Sequence, residues 1–188
     1  TIHVLDLPTI GVTASSSIIC QGDSITLTAS NSGTGGASGF LWYNAATGTL
    51  LDNDSSATHR VSPDTTTTYR VIGITEGNVR CRNMGEALVT VFQRLMLTVM
   101  DDTAICHQQN IPLQAVATST TPPIRYCYWG NRGYNSQVNP VSGQSAMWNL
   151  NADSVGSLQY VISAAPGPDR LCRTYDTANV PVRTSPLV

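Results

Sequence analysis

The sequence predicts an all-β protein built as two β-sandwich domains in series, and three observations lead to this prediction. Thr, Ser, Val and Gly, which favour strands and turns, are abundant, whereas Lys is absent and all ten basic residues are Arg. Only two of the twelve acidic residues are Glu, although Lys and Glu usually cover helix surfaces. Apolar residues alternate with period two between turn residues, and the whole pattern occurs twice.

The alternating pattern places six strands in each copy, separated by turns as in a β-sandwich. In the first copy they are Ile10–Ala14, Ser24–Ala29, Phe40–Tyr43, Thr58–Ser62, Thr68–Thr75 and Ala87–Phe92. In the second copy they are Leu95–Val99, Ile111–Thr118, Ile124–Trp129, Ala146–Leu150, Leu158–Ser163 and Ala178–Val182. The Gly-rich segment 33–39 is predicted to be a loop rather than a phosphate site, because no helix follows it.

The repeat itself is visible in two segments. Ile19–Leu27 returns as Ile105–Leu113, and Asn78–Arg82 returns as Asp169–Arg173. A closing strand with alternating Val residues occurs three times, which predicts a window cut from a longer array rather than a free-standing two-domain protein. The predicted boundaries are 1–8 for the closing strand of a preceding repeat or a donor-like strand, 9–93 for domain 1 and 94–188 for domain 2. We expect Thr1–Leu7 to pair with a sheet edge of a neighbouring subunit or repeat.

The repeat also suggests how the cysteines pair. It predicts bonds from Cys20 to Cys81 and from Cys106 to Cys172, each closing a loop of about sixty residues and contributing roughly 4 kcal/mol. Such bonds indicate an oxidising exterior or periplasm, and four buried thiols are the alternative. Cys127 has no counterpart, and it is interpreted as a buried small apolar residue or as a free or intermolecular thiol.

The first copy resembles the tandem immunoglobulin-like (PKD-like) repeats of large secreted and gliding-associated surface proteins of Bacteroidota. The resemblance rests on Ile19–Leu27, on Trp42, on Val61–Val71, and on Cys81 before the closing Val89–Val91. It implies two tandem immunoglobulin-like sandwiches. Trp42 is then expected in the core, and Tyr69 is expected at a corner where its hydroxyl returns to the backbone. The second copy keeps the cysteines and the closing strand but departs from the pattern elsewhere.

A second resemblance concerns O-glycosylation, which in secreted proteins of the same phylum often occurs at Asp followed by Ser or Thr and then by a small or aliphatic residue or Thr. It implies glycan acceptors at Ser24, Thr65, Thr103, Ser154 and Thr177. The alternative is that these Asp-Ser and Asp-Thr pairs cap turns, and an exposed turn is compatible with both.

The sequence gives little indication of nucleic-acid binding, membrane insertion, or metal or cofactor binding. A net charge of -2 without a basic cluster argues against nucleic acid, and no apolar run is long enough to insert into a membrane. The three His residues show no ligand spacing, so no cofactor and no resident metal are expected, and Asp52 and Asp54 are weak calcium candidates. Tyr126, Tyr128, Trp129 and Trp148 form a candidate contact surface in the second copy.

These observations predict a non-enzymatic structural or adhesive module of an extracellular, cell-surface bacterial protein, used as a repeat unit or subunit of a filament or stalk. Its expected partners are neighbouring copies or repeats of the same protein, surface glycans, or other surface proteins. The alternative is a carbohydrate-binding accessory module of a secreted hydrolase, favoured by the aromatic residues of the second copy.

Overall fold

The computed structural model describes residues 6–32, 35–75, 80–99, 104–118, 126–131, 134–138, 145–151, 155–166 and 171–184. Side chains at 53–54, 111, 113, 115 and 117–151 lie outside this description. The chain divides into two compact units, Thr1–Phe92 (unit 1) and Gln93–Val188 (unit 2). The described residues contain strands and turns but no helix, and hence no helix able to span a membrane.

The described residues of each unit form eight strands. Those of unit 1 are β1 (Thr9–Ala14), β2 (Ile18–Cys20), β3 (Ile25–Ser32), β4 (Ala37–Asn44), β5 (Leu50–Ser55), β6 (Thr58–Val61), β7 (Thr67–Thr75) and β8 (Arg82–Phe92). Those of unit 2 are β9 (Met96–Val99), β10 (Ile105–Cys106), β11 (Asn110–Thr118), β12 (Tyr126–Asn131), β13 (Tyr134–Val138), β14 (Ser145–Asn151), β15 (Gly156–Ala165) and β16 (Thr174–Arg183).

The strand order is the same in the two units. Unit 1 has a three-stranded sheet β1-β3-β6 and a five-stranded sheet β2-β8-β7-β4-β5, and unit 2 has β9-β11-β14 and β10-β16-β15-β12-β13. All pairings are antiparallel except two, in which the short edge strands β2 and β10 run parallel to the ends of β8 and β16. The all-β prediction is therefore confirmed, and the connectivity repeats strand for strand.

In unit 1 the core lies between the two sheets. Alternate residues of β3 are buried, among them Leu27, and they pack with Trp42, Val71 and Val89 from the larger sheet, all four of which are fully inaccessible. Burying an apolar side chain of this size contributes about 1.5–3 kcal/mol. The core of unit 2 is built in the same way from Val99, Ile105, Tyr160, Ile162, Ala178, Val180 and Val182.

All twelve predicted strands are present, with ends that shift by a few residues. Four further strands, β2, β5, β10 and β13, were not predicted. They lie at sheet edges, and β2 and β10 have only three and two residues, so they are too short to show an alternating pattern. Asp6 and Leu7 belong to no strand and residues 1–5 lie outside the described part, so the pairing of Thr1–Leu7 stays a prediction.

The same turn follows β2 and β10. The N–H of Asp23 donates to the carbonyl of Cys20 at 2.9 Å, and the N–H of Gln109 donates to the carbonyl of Cys106 at 3.1 Å. The residues at the third position of these turns have positive φ, 89° for Gly22 and 67° for Gln108. Gly adopts this left-handed backbone conformation without strain. For a residue with a side chain, the same conformation is less stable than the right-handed one by about 1–2 kcal/mol.

Replacing Gln108 with Gly should therefore raise the free energy of unfolding of unit 2 by about 0.5–1 kcal/mol, measured by urea denaturation. Gly22→Ala is the matched control. It should lower the stability of unit 1 by about 1 kcal/mol through the backbone alone, because a Cβ there meets no atom within 4 Å. A loss of stability in Gln108→Gly would contradict this account of the turn.

Candidate functional site

The two cysteines of unit 1 lie at opposite ends of its larger sheet. Cys20 ends β2 and is paired in register with Phe92, the last residue of β8. Cys81 directly precedes the first residue of β8, where its N–H donates to Oγ1 of Thr75 at 3.0 Å. Ten residue steps of β8 separate the two ends, a distance of about 33 Å. A disulfide requires Cα atoms about 4.4–6.8 Å apart, so these two cysteines cannot bond to each other.

Unit 2 repeats this arrangement. Cys106 ends β10 and is paired in register with Arg183, the last residue of β16. Cys172 lies two residues before β16, whose nine residue steps span about 30 Å. Cys106 and Cys172 are therefore also too far apart to bond to each other.

The structure accordingly contradicts both predicted pairs. Cys81 and Cys106 are free thiols, whereas Cys20 and Cys172 are disulfide-bonded. The predicted Cys20–Cys81 and Cys106–Cys172 bonds were wrong because the repeat shows which positions correspond but not where they lie in the sheet. The side chain of Cys127 lies outside the described residues, and its backbone pairs with Val138 and Ala164.

The two bonded cysteines are buried, and the two free ones are half-buried. Identical backbone contacts hold Cys20 and Cys106 in place. Their N–H groups donate to the side chain three residues on, to Oδ2 of Asp23 at 3.4 Å and to Oε1 of Gln109 at 3.1 Å. The backbone at these positions is thus fixed by the fold whether or not the sulfur is bonded.

Trp42 lies in the core, as its predicted role requires. Its Nε1–H donates to the carbonyl of Ser56 at 3.1 Å, and its ring stacks on that of His59 with centroids 6.2 Å apart. Nδ1 of His59 lies 3.1 Å from Oδ2 of Asp52. The carboxylate of Asp52, one of the two weak calcium candidates, is therefore engaged by His59, and the side chain of Asp54 lies outside the described residues. The described residues contain no cluster of three or more metal-ligating side chains.

Tyr69 is also a core residue, only 5% exposed in the middle strand β7. Burial raises the pKa of its phenol above the usual value near 10. Within the described part of the chain its hydroxyl makes no hydrogen bond, so packing of the ring is the contribution the structure shows for it.

Sheet register identifies the counterparts of these residues in unit 2. Tyr69 is opposite Ala87, five residues before the end of β8, and Tyr160 is opposite Ala178, five residues before the end of β16. Tyr160 is 2% exposed, so a buried Tyr occupies this position in both units.

The same comparison of register shows which unit 1 positions correspond to Trp129 and Trp148, two residues of the predicted contact surface. Trp42 is opposite the buried Val71, and Trp129 is opposite the buried Ile162, which occupies the position of Val71 in unit 2. His59 is opposite Leu27, and Trp148 is opposite Leu113, the repeat equivalent of Leu27. Trp129 and Trp148 thus hold the positions at which Trp42 and His59 stack in unit 1. Tyr126 and Tyr128 are opposite Ala165 and Ser163.

Three of the five glycan acceptor candidates are described, and all three are exposed: Ser24 before β3, Thr65 before β7, and Thr177 in β16. Thr103 and Ser154 lie outside the described residues. Two of the preceding Asp side chains accept from the local backbone: Asp23 from the N–H of Cys20, and Oδ1 of Asp176 from the N–H of Thr177 at 2.8 Å. Asp23 lies in a turn, as the capping alternative expects, whereas Asp176 lies within β16.

Strand β8 also carries an exposed apolar surface that was not predicted from the sequence. Met84 and Leu88 are 57% and 56% exposed, and between them Glu86 accepts from Arg70 at 2.7 Å. This alternation was visible in the sequence, but Gly85, Ala87 and Val89 offer a second apolar row on the same strand. Only the packed core shows which row faces inward.

The sequence model of the family described as "Ig-like domain CHU_C associated" matches residues 8–93. No curated protein matches the chain.

Solved structures share the fold at low sequence identity. Sidekick-1 immunoglobulin domains 1–4 align with a TM-score of 0.54 and 11% identity, over 92% of this chain and 48% of that one. Murine CEACAM1b aligns with a TM-score of 0.51 and 12% identity, over 94% of this chain and 100% of that one. At such identities the likeness shows the fold alone. With the family match, the strand order and the core now described, residues 8–93 form an Ig-like domain of the CHU_C-associated type.

Proposed function

We propose that the chain is a non-enzymatic structural module of an extracellular bacterial surface protein, in which two immunoglobulin-like domains in series serve as a repeat unit of a filament, stalk or adhesin. One observation carries this proposal: the two units share strand order, sheet register and cysteine positions. The residues of such a domain lie mainly in strands and in the core. A second copy of it therefore adds length to the protein but no reactive site. The resemblance to Bacteroidota surface repeats supports the same proposal.

The location outside the cell is supported by the disulfide. Disulfide bonds form and persist in oxidising compartments and are rare in the bacterial cytoplasm. Cys20 and Cys172 are bonded and buried, which favours a stable structural bond over a transient one. The bond supports a location outside the cytoplasm, and attachment to the cell surface is part of the proposal.

Adhesion or assembly is supported by the exposed face of β8. The side chains of Met84 and Leu88 offer apolar contact area, and the pair of Arg70 and Glu86 lies between them on the same face. Large apolar side chains together with Arg are frequent at protein contacts. Neighbouring copies or other surface proteins are the partners this face suits.

The carbohydrate-binding alternative receives less support from the register of unit 2. Trp129 and Trp148 were its main candidates, and they occupy the positions of Trp42, which is buried, and of His59, which is half-buried and stacks on it. A sugar platform requires exposed rings, whereas the Trp42 position belongs to the core in unit 1.

Force spectroscopy of the chain tests the structural role directly. With a reducing agent present, stretching should give two separate unfolding events, each releasing roughly 30 nm for about ninety residues. One event of double length, or extension without a force peak, would contradict a design of two independent load-bearing domains.

Substitution of the two Trp residues separates the core role from sugar binding. Trp129→Ala should lower the free energy of unfolding of unit 2 by about 3–5 kcal/mol, measured by urea denaturation. Trp148→His should be tolerated better than Trp148→Ala, because His59 occupies the same position in unit 1. Glycan binding by the wild-type chain on an array, lost in Trp129→Ala and Trp148→Ala with unfolding unchanged, would instead establish the alternative.

Glycosylation is tested by mass spectrometry of tryptic peptides from native material. We expect added hexose mass on peptides 61–70 and 174–183, which contain Thr65 and Thr177 in the acceptor motif. Peptide 71–80 lacks the motif but contains Thr75, so it should have its unmodified mass. Unmodified masses for both motif peptides would refute these two acceptor sites.

A further inference from the structure

We propose that one face of unit 1 binds the same face of a second copy of the chain, so that two copies pair through identical surfaces. We call it the outer face, because its side chains point away from the core on the larger sheet. At its centre, Arg70 of each copy meets Glu86 of the other. The inference rests on the proposed role as an assembling surface module, and it adds the partner and the contact residues.

The outer face consists of three pairs of residues that lie opposite each other on β7 and β8: Thr68 and Leu88, Arg70 and Glu86, and Ile72 and Met84. In β7 these residues alternate with the buried Tyr69 and Val71, so they lie on the side away from the core. All three residues of β8 are exposed. The outer face therefore has one cation and one anion in the middle, with apolar side chains on both sides of them.

This pattern is complementary to itself. A twofold axis that runs between β7 and β8, parallel to both strands, places β7 of one copy over β8 of the other. Arg70 then faces Glu86 of the second copy, and Ile72 faces Met84 of the second copy. The same pairs form again on the other side of the axis, as they do in any interface between two identical surfaces.

The charges of the outer face favour a second copy over a partner of a single charge sign. Within one copy, Nη2 of Arg70 lies 2.7 Å from Oε1 of Glu86, and both side chains are exposed to solvent. In the pair of copies, the four charges alternate in sign, and each carboxylate lies between two guanidinium groups. An acidic partner would instead bring like charge against Glu86, and a basic partner would bring like charge against Arg70, which weakens binding.

Unit 2 shows that the fold does not require these charges. The pair at the position of Arg70 and Glu86 is Val161 and Thr177, which lie opposite each other in β15 and β16. The same sheet therefore forms without the ion pair. Exposed ion pairs also contribute little to folding stability. Binding of a second copy accounts for both charges.

The size of the outer face indicates a weak, reversible contact. β7 and β8 pair over eight residues, a length of about 27 Å, and with the neighbouring β4 the three strands are about 14 Å wide. Leu41 of β4 lies opposite Ile72 and extends the apolar row to the third strand. This gives roughly 400 Å² of flat surface per copy, which falls in the class of weak and transient interfaces. Repeats held in series bind more tightly than single ones, because each further contact forms within an assembly that is already joined.

Sedimentation equilibrium of the full chain measures the pairing. The free thiols are first blocked with iodoacetamide, so that no disulfide joins the copies. Between about 10 μM and about 1 mM protein, the average mass should rise from that of one chain toward that of two.

Charge reversal tests the geometry of the contact. Arg70→Glu and Glu86→Arg should each weaken the pairing by about tenfold or more, because like charges then face each other across the axis. An equimolar mixture of the two variants should regain the pairing, because one outer face is then wholly acidic and the other wholly basic. Pairing in the mixture should weaken in about 1 M salt, which screens exposed charges. Regained pairing also shows that both variants are folded.

Removal of one apolar side chain tests the rest of the outer face. Leu88→Asn introduces the residue that unit 2 has at the same position, Asn179, so the sheet accommodates it. It should weaken the pairing by roughly tenfold. Met96→Gln is the matched control, since Met96 is 74% exposed on β9 of unit 2, and it should leave the pairing unchanged. Circular dichroism confirms that each variant is folded.

The mass of one chain at every concentration would overturn the proposal. Pairing that survives both charge reversals would overturn it too, since another surface would then hold the copies together. A mixture that pairs no better than either variant alone would refute the contact between Arg70 of one copy and Glu86 of the other. The force measurement above reads single chains, so the structural role and the pairing fail in different experiments.

Discussion

Parallel pairing between a short edge strand and the end of the last strand is the constraint on which the rest of this structure depends. β2 lies against the end of β8, and β10 lies against the end of β16, with the same register in each unit. This pairing closes the larger sheet at one edge and brings Ile19 and Ile105 into the cores. It also determines that the cysteine following each Ile lies at the far end of the sheet from the second cysteine of its unit.

In unit 1, whose two cysteines lie at opposite ends of the larger sheet, stability consequently rests on packing rather than on a bond between them. In unit 1, fully buried Trp42, Leu27, Val71 and Val89 join the two sheets, and a hydrogen bond from the Trp42 indole satisfies its polar atom. Immunoglobulin-like sandwiches often combine a buried Trp with a disulfide between the sheets. Here the Trp is present, and His59 stacks against it in place of sulfur.

The cysteines divide by burial as well as by bonding. Cys20 and Cys172 are bonded and buried, whereas Cys81 and Cys106 are half-buried thiols. Exposed hydroxyls at Ser24, Thr65 and Thr177 lie away from the cores, where modification would not disturb packing.

The sequence by itself determined the fold class, twelve of the strands, the correspondence between the two copies and the buried role of Trp42. The fold class and the strands depend on local alternation and composition, the correspondence follows from the repeated segments, and the role of Trp42 was implied by the family resemblance. Only the tertiary structure decided which apolar row of β8 faces the core, that Trp129 and Trp148 occupy the Trp42 and His59 positions, and how the cysteines are arranged. These depend on register between strands distant in sequence. A repeat shows that two positions are equivalent, but the distance between them follows from the length of the strand that separates them.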